Sequence, residues 1–164
     1  MNEIEDMIGA KIVEITGAEK GSDVIHFKSK DGRGWKFYHD QDCCETVEVE
    51  DICGDIADLI GEPLVEAEAS SNQADVKYGS ETWTFYKFGT RKGHVTIRWL
   101  GESNGYYAEE VDISKTWHGD GLPVGFVTYR YDNYKRGSEF LYENGTIGTS
   151  EYLNAGKIVA VKIA

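Results

Sequence analysis

A twelve-residue segment recurs at an offset of 52. Ile4-Glu5-Asp6-Met7-Ile8-Gly9-Ala10-Lys11-Ile12-Val13-Glu14-Ile15 aligns with Ile56-Ala57-Asp58-Leu59-Ile60-Gly61-Glu62-Pro63-Leu64-Val65-Glu66-Ala67. Six positions are identical, and Met7/Leu59 and Ile12/Leu64 are conservative pairs. Each copy reads as a short amphipathic helical turn that stops at a glycine suited to a left-handed backbone, after which a strand begins. A chain built this way folds into two related halves. The residues after each copy support the match, because both halves continue as strand, turn, aromatic strand, turn, strand.

In the first half, Asp23-Val24-Ile25-His26-Phe27-Lys28 alternates with a period of two, the pattern of a half-buried strand. A turn at Asp31-Gly32-Arg33-Gly34 leads to strands at 35–39 and 46–49. In the second half, 82–88 and 95–99 are the strongest strands, joined as a hairpin through Arg91-Lys92-Gly93. Trp83, Phe85, Phe88 and Trp99 read as core residues of that hairpin. A further strand is expected at 106–111, and a loop rich in small and polar residues from Ser114 to Gly121 is expected to separate it from the remaining chain. The remaining chain holds strands at 126–131, 139–142 and 157–163, with an Asn144-Gly145 hairpin turn. The expected fold class is mainly β, a β-rich α+β arrangement of antiparallel sheets. It consists of two related units of helical turn plus strands and a C-terminal hairpin segment. The domain reading is a duplicated domain over 1–113, with units 1–52 and 53–113, and a hairpin extension over 120–164 packed on the same core.

Charge is distributed unevenly over this plan. Residues 1–82 carry 20 acids and 7 bases, whereas 83–164 carry 9 acids and 10 bases. Between Asp40 and Val76 there are twelve acids and no Lys or Arg. Such a surface repels phosphate backbones, since favourable nucleic-acid binding comes from cations that release counterions. General DNA or RNA binding is therefore not expected. No run of about 18 apolar residues offers a membrane span, and the acidic opening Met1-Asn2-Glu3-Ile4-Glu5-Asp6 does not read as an export signal. The expected location is the cytoplasm of a bacterial host, where the three cysteines should stay reduced.

Two separated motifs carry a resemblance. The first is His39-Asp40-Gln41-Asp42-Cys43-Cys44-Glu45 with Glu50-Asp51-Ile52-Cys53-Gly54-Asp55-Ile56 and Asp58-Leu59-Ile60-Gly61. The second is Thr82-Trp83-Thr84-Phe85-Tyr86-Lys87-Phe88 with Arg98-Trp99-Leu100-Gly101-Glu102-Ser103-Asn104-Gly105-Tyr106-Tyr107. Over residues 8–113 the chain resembles an uncharacterised family, a domain of unknown function, found in bacteria and their phages. The tail from Gly119 lies outside that pattern. The resemblance implies no activity; it implies a setting among phage or mobile-element accessory genes.

Several residue clusters invite chemistry. His39, Cys43, Cys44 and Cys53 are the only plausible zinc set, but adjacent cysteines on a strand face opposite ways and zinc sites use C-x₂₋₄-C spacing. The acids around them should also suppress a reactive thiolate. A calcium loop fails at Asp51-Ile52-Cys53-Gly54-Asp55, where apolar residues occupy ligand positions. No metal or other cofactor is expected. The acids Asp40, Asp42, Glu45, Glu48, Glu50, Asp51, Asp55 and Asp58 read as a solvated face, with Asp51 and Asp55 able to cap the second helical turn. His118 in Trp117-His118-Gly119-Asp120-Gly121 has no nucleophile or metal motif beside it. The segment Tyr129, Arg130, Tyr131, Tyr134, Lys135 and Arg136 combines aromatics and cations that could stack a base and neutralise a phosphate. Tyr129 and Tyr131 share a strand face that excludes Arg130.

Three functions are expected, in this order. The first is a non-catalytic inhibitor whose acidic surface binds a basic host protein, such as a nucleic-acid-binding defence protein. The second is a small-ligand binder that sequesters a nucleotide signal on the Tyr129 to Arg136 segment. The third is a hydrolase using His39 or His118. No catalytic residue is assigned. Exposed strand edges leave homo-oligomerisation open.

Overall fold

The computed structural model describes residues 3–149 and 155–163. Each sequence copy opens with a short 3-10 turn, Glu5–Met7 in the first and Ile56–Leu59 in the second. Both turns run into a left-handed glycine, Gly9 at φ +88° and Gly61 at φ +89°. The matched side chains Met7 and Leu59 are fully buried, as are Ile12 and Leu64. The repeat thus marks equivalent positions in space as well as in sequence.

Four strands follow each turn. The first unit supplies β1 (Ile12–Thr16), β2 (Val24–Ser29), β3 (Arg33–Tyr38) and β4 (Thr46–Cys53). The second supplies β5 (Glu66–Val76), β6 (Gly79–Thr90), β7 (Gly93–Ser103) and β8 (Asp112–Trp117). In each unit the first three strands form an antiparallel meander, and the fourth crosses to the other unit's sheet. β8 pairs with β3 and β4 pairs with β7, so the sheets contain β1-β2-β3-β8 and β5-β6-β7-β4. The two units are related by an exchange of strands.

The exchange is organised about one point. The Gly9 N–H donates to Leu64 O at 2.7 Å, and the Gly61 N–H donates to Ile12 O at 2.9 Å. Shifting the first bond by 52 residues produces the second. An isolated bridge joins Lys11 to Pro63, a pair that the same shift maps onto itself. A local two-fold axis therefore passes through the Lys11/Pro63 contact. The sheets pack face to face around it, with Phe27 against Phe88 at 4.9 Å and Phe37 against Tyr86 at 4.9 Å between ring centroids.

The tail extends one sheet. β9 (Phe126–Thr128), β10 (Phe140–Tyr142), β11 (Thr146–Gly148) and β12 (Ile158–Lys162) continue it in the order β8-β11-β10-β12-β9. These strands carry a second hydrophobic cluster of Phe140, Tyr142, Ala155 and Val161, apart from the main one. No helix among the described residues is long and apolar enough to cross a membrane.

Four local expectations change. Phe88 and Trp99 are core residues, but Trp83 and Phe85 lie half-buried on the opposite face of β6. That strand is aromatic on both faces, so alternation alone could not choose the inner one. Residues 106–111 form no strand, and the segment expected to be a loop from Ser114 is strand instead: Tyr106 is exposed, and pairing with β3 runs from Asp112 to Trp117. The strand at 126 stops at Thr128, because Asn133 accepts from the Arg130 N–H at 3.0 Å and donates to Thr128 O at 3.0 Å. That side chain builds a turn in place of a ladder.

Candidate functional site

Cross-strand partners in an antiparallel sheet share a face. In the four-stranded sheet, one outward row runs Glu48, Leu100, Trp83, Asn72, and the next runs Asp51, Arg98, Phe85, Ser70. A third row places Glu102 beside Glu81. The centre of this face is aromatic. The Trp83 and Phe85 rings are stacked 6.4 Å apart at 16°, and the Arg98 guanidinium lies 5.3 Å from the Trp83 ring centroid. Arg98 is also held by Asp51, donating from Nε to Oδ1 at 2.6 Å and from its second nitrogen to Oδ2. These hydrogen bonds hold the Asp51 carboxyl below its ordinary range and the Arg98 guanidinium above its own. Arg98 is thereby paired within the face; Lys87, in the next row on the same face, pairs with Glu66, and Glu48, Glu81 and Glu102 lie toward the rim.

The eight acids singled out in the sequence divide among different places. Glu48 and Asp51 lie on this face, and Glu50 occupies the bulge where the β4 register shifts between Val49 and Asp51. Asp55 caps the second 3-10 turn, accepting from the Ala57 N–H at 3.0 Å. Asp58 lies in that turn under the β6/β7 hairpin. Asp40 and Asp42 are exposed in the bend before β4, beside a shallow cleft of about 370 Å³ that Glu110 and Asp112 also line.

Glu45 departs from the solvated face, since its side chain is wholly buried. Its Oε1 accepts from Gln41 Nε2 at 2.5 Å, the Cys43 N–H at 2.9 Å and the Asp42 N–H at 3.1 Å. Burial pushes the carboxyl up, but these donors and His39 outweigh it, and it sits below the usual range. His39 is buried beside it, with Nδ1 2.7 Å from Glu110 O and Nε2 3.6 Å from Glu45 Oε2. A carbonyl only accepts, so Nδ1 carries a proton there. The facing Nε2 and Oε2 atoms are buried and the pair pins the bend, while His39 also lines the cleft beside Glu110 and Asp112.

The same bend corrects the cysteine expectation. Cys43 and Cys44 are bonded to each other, where reduced thiols were expected, and Cys53 is free and exposed. Adjacent side chains diverge on a strand, but residues 43–44 lie in a bend. Among the described residues, no group of three or more His, Cys, Asp or Glu could hold a metal ion.

The other candidates do not converge. Tyr129 and Tyr134 pack on Phe140, 6.2 and 5.3 Å between centroids, within the second cluster. Tyr131 is 87% exposed, and Arg130, Lys135 and Arg136 are exposed around it without forming a pocket wall. His118 lies over Gly34, with Nε2 2.7 Å from Thr116 Oγ1. Burial lowers its pKa first, followed by Lys28 and His26. Glu14 acts against them, so His118 has both a lysine and a carboxylate in its field.

Arg98, Leu100, Glu81 and Glu102 on the outer face are not site candidates in the sequence, and neither is one buried acid. Glu109 is buried, and its carboxylate accepts from Ser80 Oγ at 2.7 Å, Thr82 Oγ1 at 2.9 Å and Ser103 Oγ. Burial pushes this carboxyl up, yet the three hydroxyls hold it below the ordinary range. It lines a cleft of about 440 Å³ under the far end of β5 and β6, with Ser71, Gln73, Thr82 and Thr84. No local motif signals this, because the hydroxyls come from separate strands.

Residues 5–113 match the DUF7448 family, described as a domain of unknown function. No curated protein and no solved structure matches the chain.

Proposed function

We propose, for a chain that belongs to the DUF7448 family, that the outer face of the four-stranded sheet is a docking surface for a basic protein. The observation that carries this reading is its layout: Trp83, Phe85 and Leu100 at the centre, with Glu48, Glu81 and Glu102 around them. Aromatic residues are the anchors that most often supply binding energy at protein interfaces, and a charged rim steers association. Arg98 is neutralised by Asp51 inside the face, which leaves the rim free to attract cations. The protein acts by occupancy, without catalysis or cofactor.

The setting we infer is that of a phage or mobile-element accessory protein in the host cytoplasm. The partner is then a basic host protein, such as a nucleic-acid-binding defence protein, whose cationic groove the acidic face fills. The resemblance in the two sequence motifs supports the setting, and the charge supports the partner's sign.

Affinity capture from bacterial lysate tests this. The wild-type chain should retain a basic protein at low salt and release it at high salt, because screening removes attraction between exposed charges. Trp83→Ala should retain markedly less of it. Retention of the same proteins by both chains, or retention that survives high salt, contradicts the reading.

A further inference from the structure

We infer that β5 is a strand-addition site for an extended cationic segment of the partner, an inference that rests on the docking reading above and specifies its mode. Among the described residues, four strands terminate the two sheets, and their edges differ. β1 has five residues and a register break between Ile12 and Glu14. β9 has three residues. β4 is interrupted by the bulge at Glu50, and its Val49 is already bonded to the loop before β2, from the Gly21 N–H and to Ser22 O, each at 2.8 Å. These are the usual ways of blunting an edge: shortness, bulges and cover.

β5 uses none of them. It runs eleven residues, pairs with β6 in unbroken register from Glu66 to Val76, and is exposed from Glu68 onward. Its middle, Ala69-Ser70-Ser71-Asn72-Gln73-Ala74, contains no charge and no proline. Small and polar side chains there let another backbone approach. In strand addition, main-chain hydrogen bonds supply affinity and alternate side chains supply selectivity.

The charge around the edge selects the occupant. Glu66, Glu68 and Asp75 lie on β5 itself, which has no Lys or Arg; Glu66 is engaged by Lys87 and His94 from the neighbouring strands, so Glu68 and Asp75 carry the charge offered to an added strand. On the inner side, the cleft beneath the strand is lined by Ser71, Gln73, Thr82 and Thr84, with Glu109 and Glu110 at its wall. On the outer side, Asn72 and Ser70 stand beside Trp83 and Phe85. An added strand would therefore send one set of side chains toward hydroxyls and carboxylates and the other toward the aromatic face. Lysine alternating with threonine or valine suits both. A second copy of β5 would bring acid to acid.

The test uses the full chain with a synthetic Lys/Thr/Val alternating peptide and its Glu counterpart, read by fluorescence anisotropy. Amide exchange of residues 69–76 is followed in parallel. The N–H groups along an edge strand point alternately to the neighbour and to solvent. Of Ser71→Pro and Asn72→Pro, the variant that keeps the wild-type melting temperature has lost only a free N–H. The proposal predicts that the Lys peptide binds at low salt, slows exchange in 69–76, and loses at least about tenfold in affinity to that variant. Undiminished binding to it overturns strand addition, while the docking reading survives if Trp83→Ala still weakens capture. Absence of Lys-peptide binding at low salt, or protection of 69–76 by self-association alone, also overturns it.

Discussion

Glu45 and Glu109 are acidic residues in an acidic protein, yet both carboxylates are withdrawn from solvent and held by N–H and O–H donors. Such donors favour the charged form, so each folded carboxyl lies below its ordinary value. That direction fixes the sign of the pH dependence. Their contribution to stability is complete above the unfolded carboxyl pKa of about 4.3 and is lost as pH falls through the lower folded value. Glu109→Gln should therefore flatten the acid limb of a stability-against-pH curve measured by denaturant unfolding. Glu109→Ala should cost about 2 kcal/mol at neutral pH, because buried Ser80 loses its acceptor and the loop its anchor. An unchanged midpoint would mean that the hydroxyls find other partners. Gly101→Ala should be as harmful, since an added Cβ would collide with the Glu109 carbonyl oxygen.

At the scale of elements, the two glycines after the 3-10 turns offer a direct check on the internal symmetry. Both have positive φ, and an added Cβ at either would meet nothing within 4 Å. Gly9→Ala and Gly61→Ala should each cost about 1 kcal/mol, from backbone strain alone. Unequal costs in thermal unfolding would show that the halves are not equivalent there. Most strands were legible because alternation and turn residues coincide, as in β2, β3 and the β6/β7 hairpin. β8 was not, because its polar Ser114-Lys115-Thr116 stretch has the composition of a loop, and the partner of neither fourth strand was, because exchange between units leaves a strand's own pattern unchanged. Sidedness was lost where both faces are aromatic, as at Trp83 and Phe85. Of the candidate site, Glu48 and Asp51 were readable as acids, but their neighbours Leu100 and Arg98 come from β7 through pairing that no local spacing reveals.

At the scale of the molecule, duplication gives two sheets with distinct outer faces. The sheet of β1, β2, β3 and β8 presents His26, Lys28 and Lys36 outward, with Lys36 Nζ 4.5 Å from the Tyr38 ring centroid. The other presents Glu48, Glu81 and Glu102 around aromatics. The acid of the central chain segment is thus not a uniform coat. Part of it is structural, in Glu45 and Asp55, and part surrounds a face whose apolar centre gains little from solvent. Trp83→Ala should cost about 1–2 kcal/mol, for a half-buried ring that loses its contacts with Phe85 and Arg98, and should leave the chain folded at the temperature of the binding measurement. The most direct test is the affinity of the captured basic partner, measured by titration calorimetry at stepped salt for wild type and Trp83→Ala. Affinity should fall steeply with salt, and the variant should lose at least about tenfold. Affinity independent of salt, or equal in the two proteins, would contradict the docking reading.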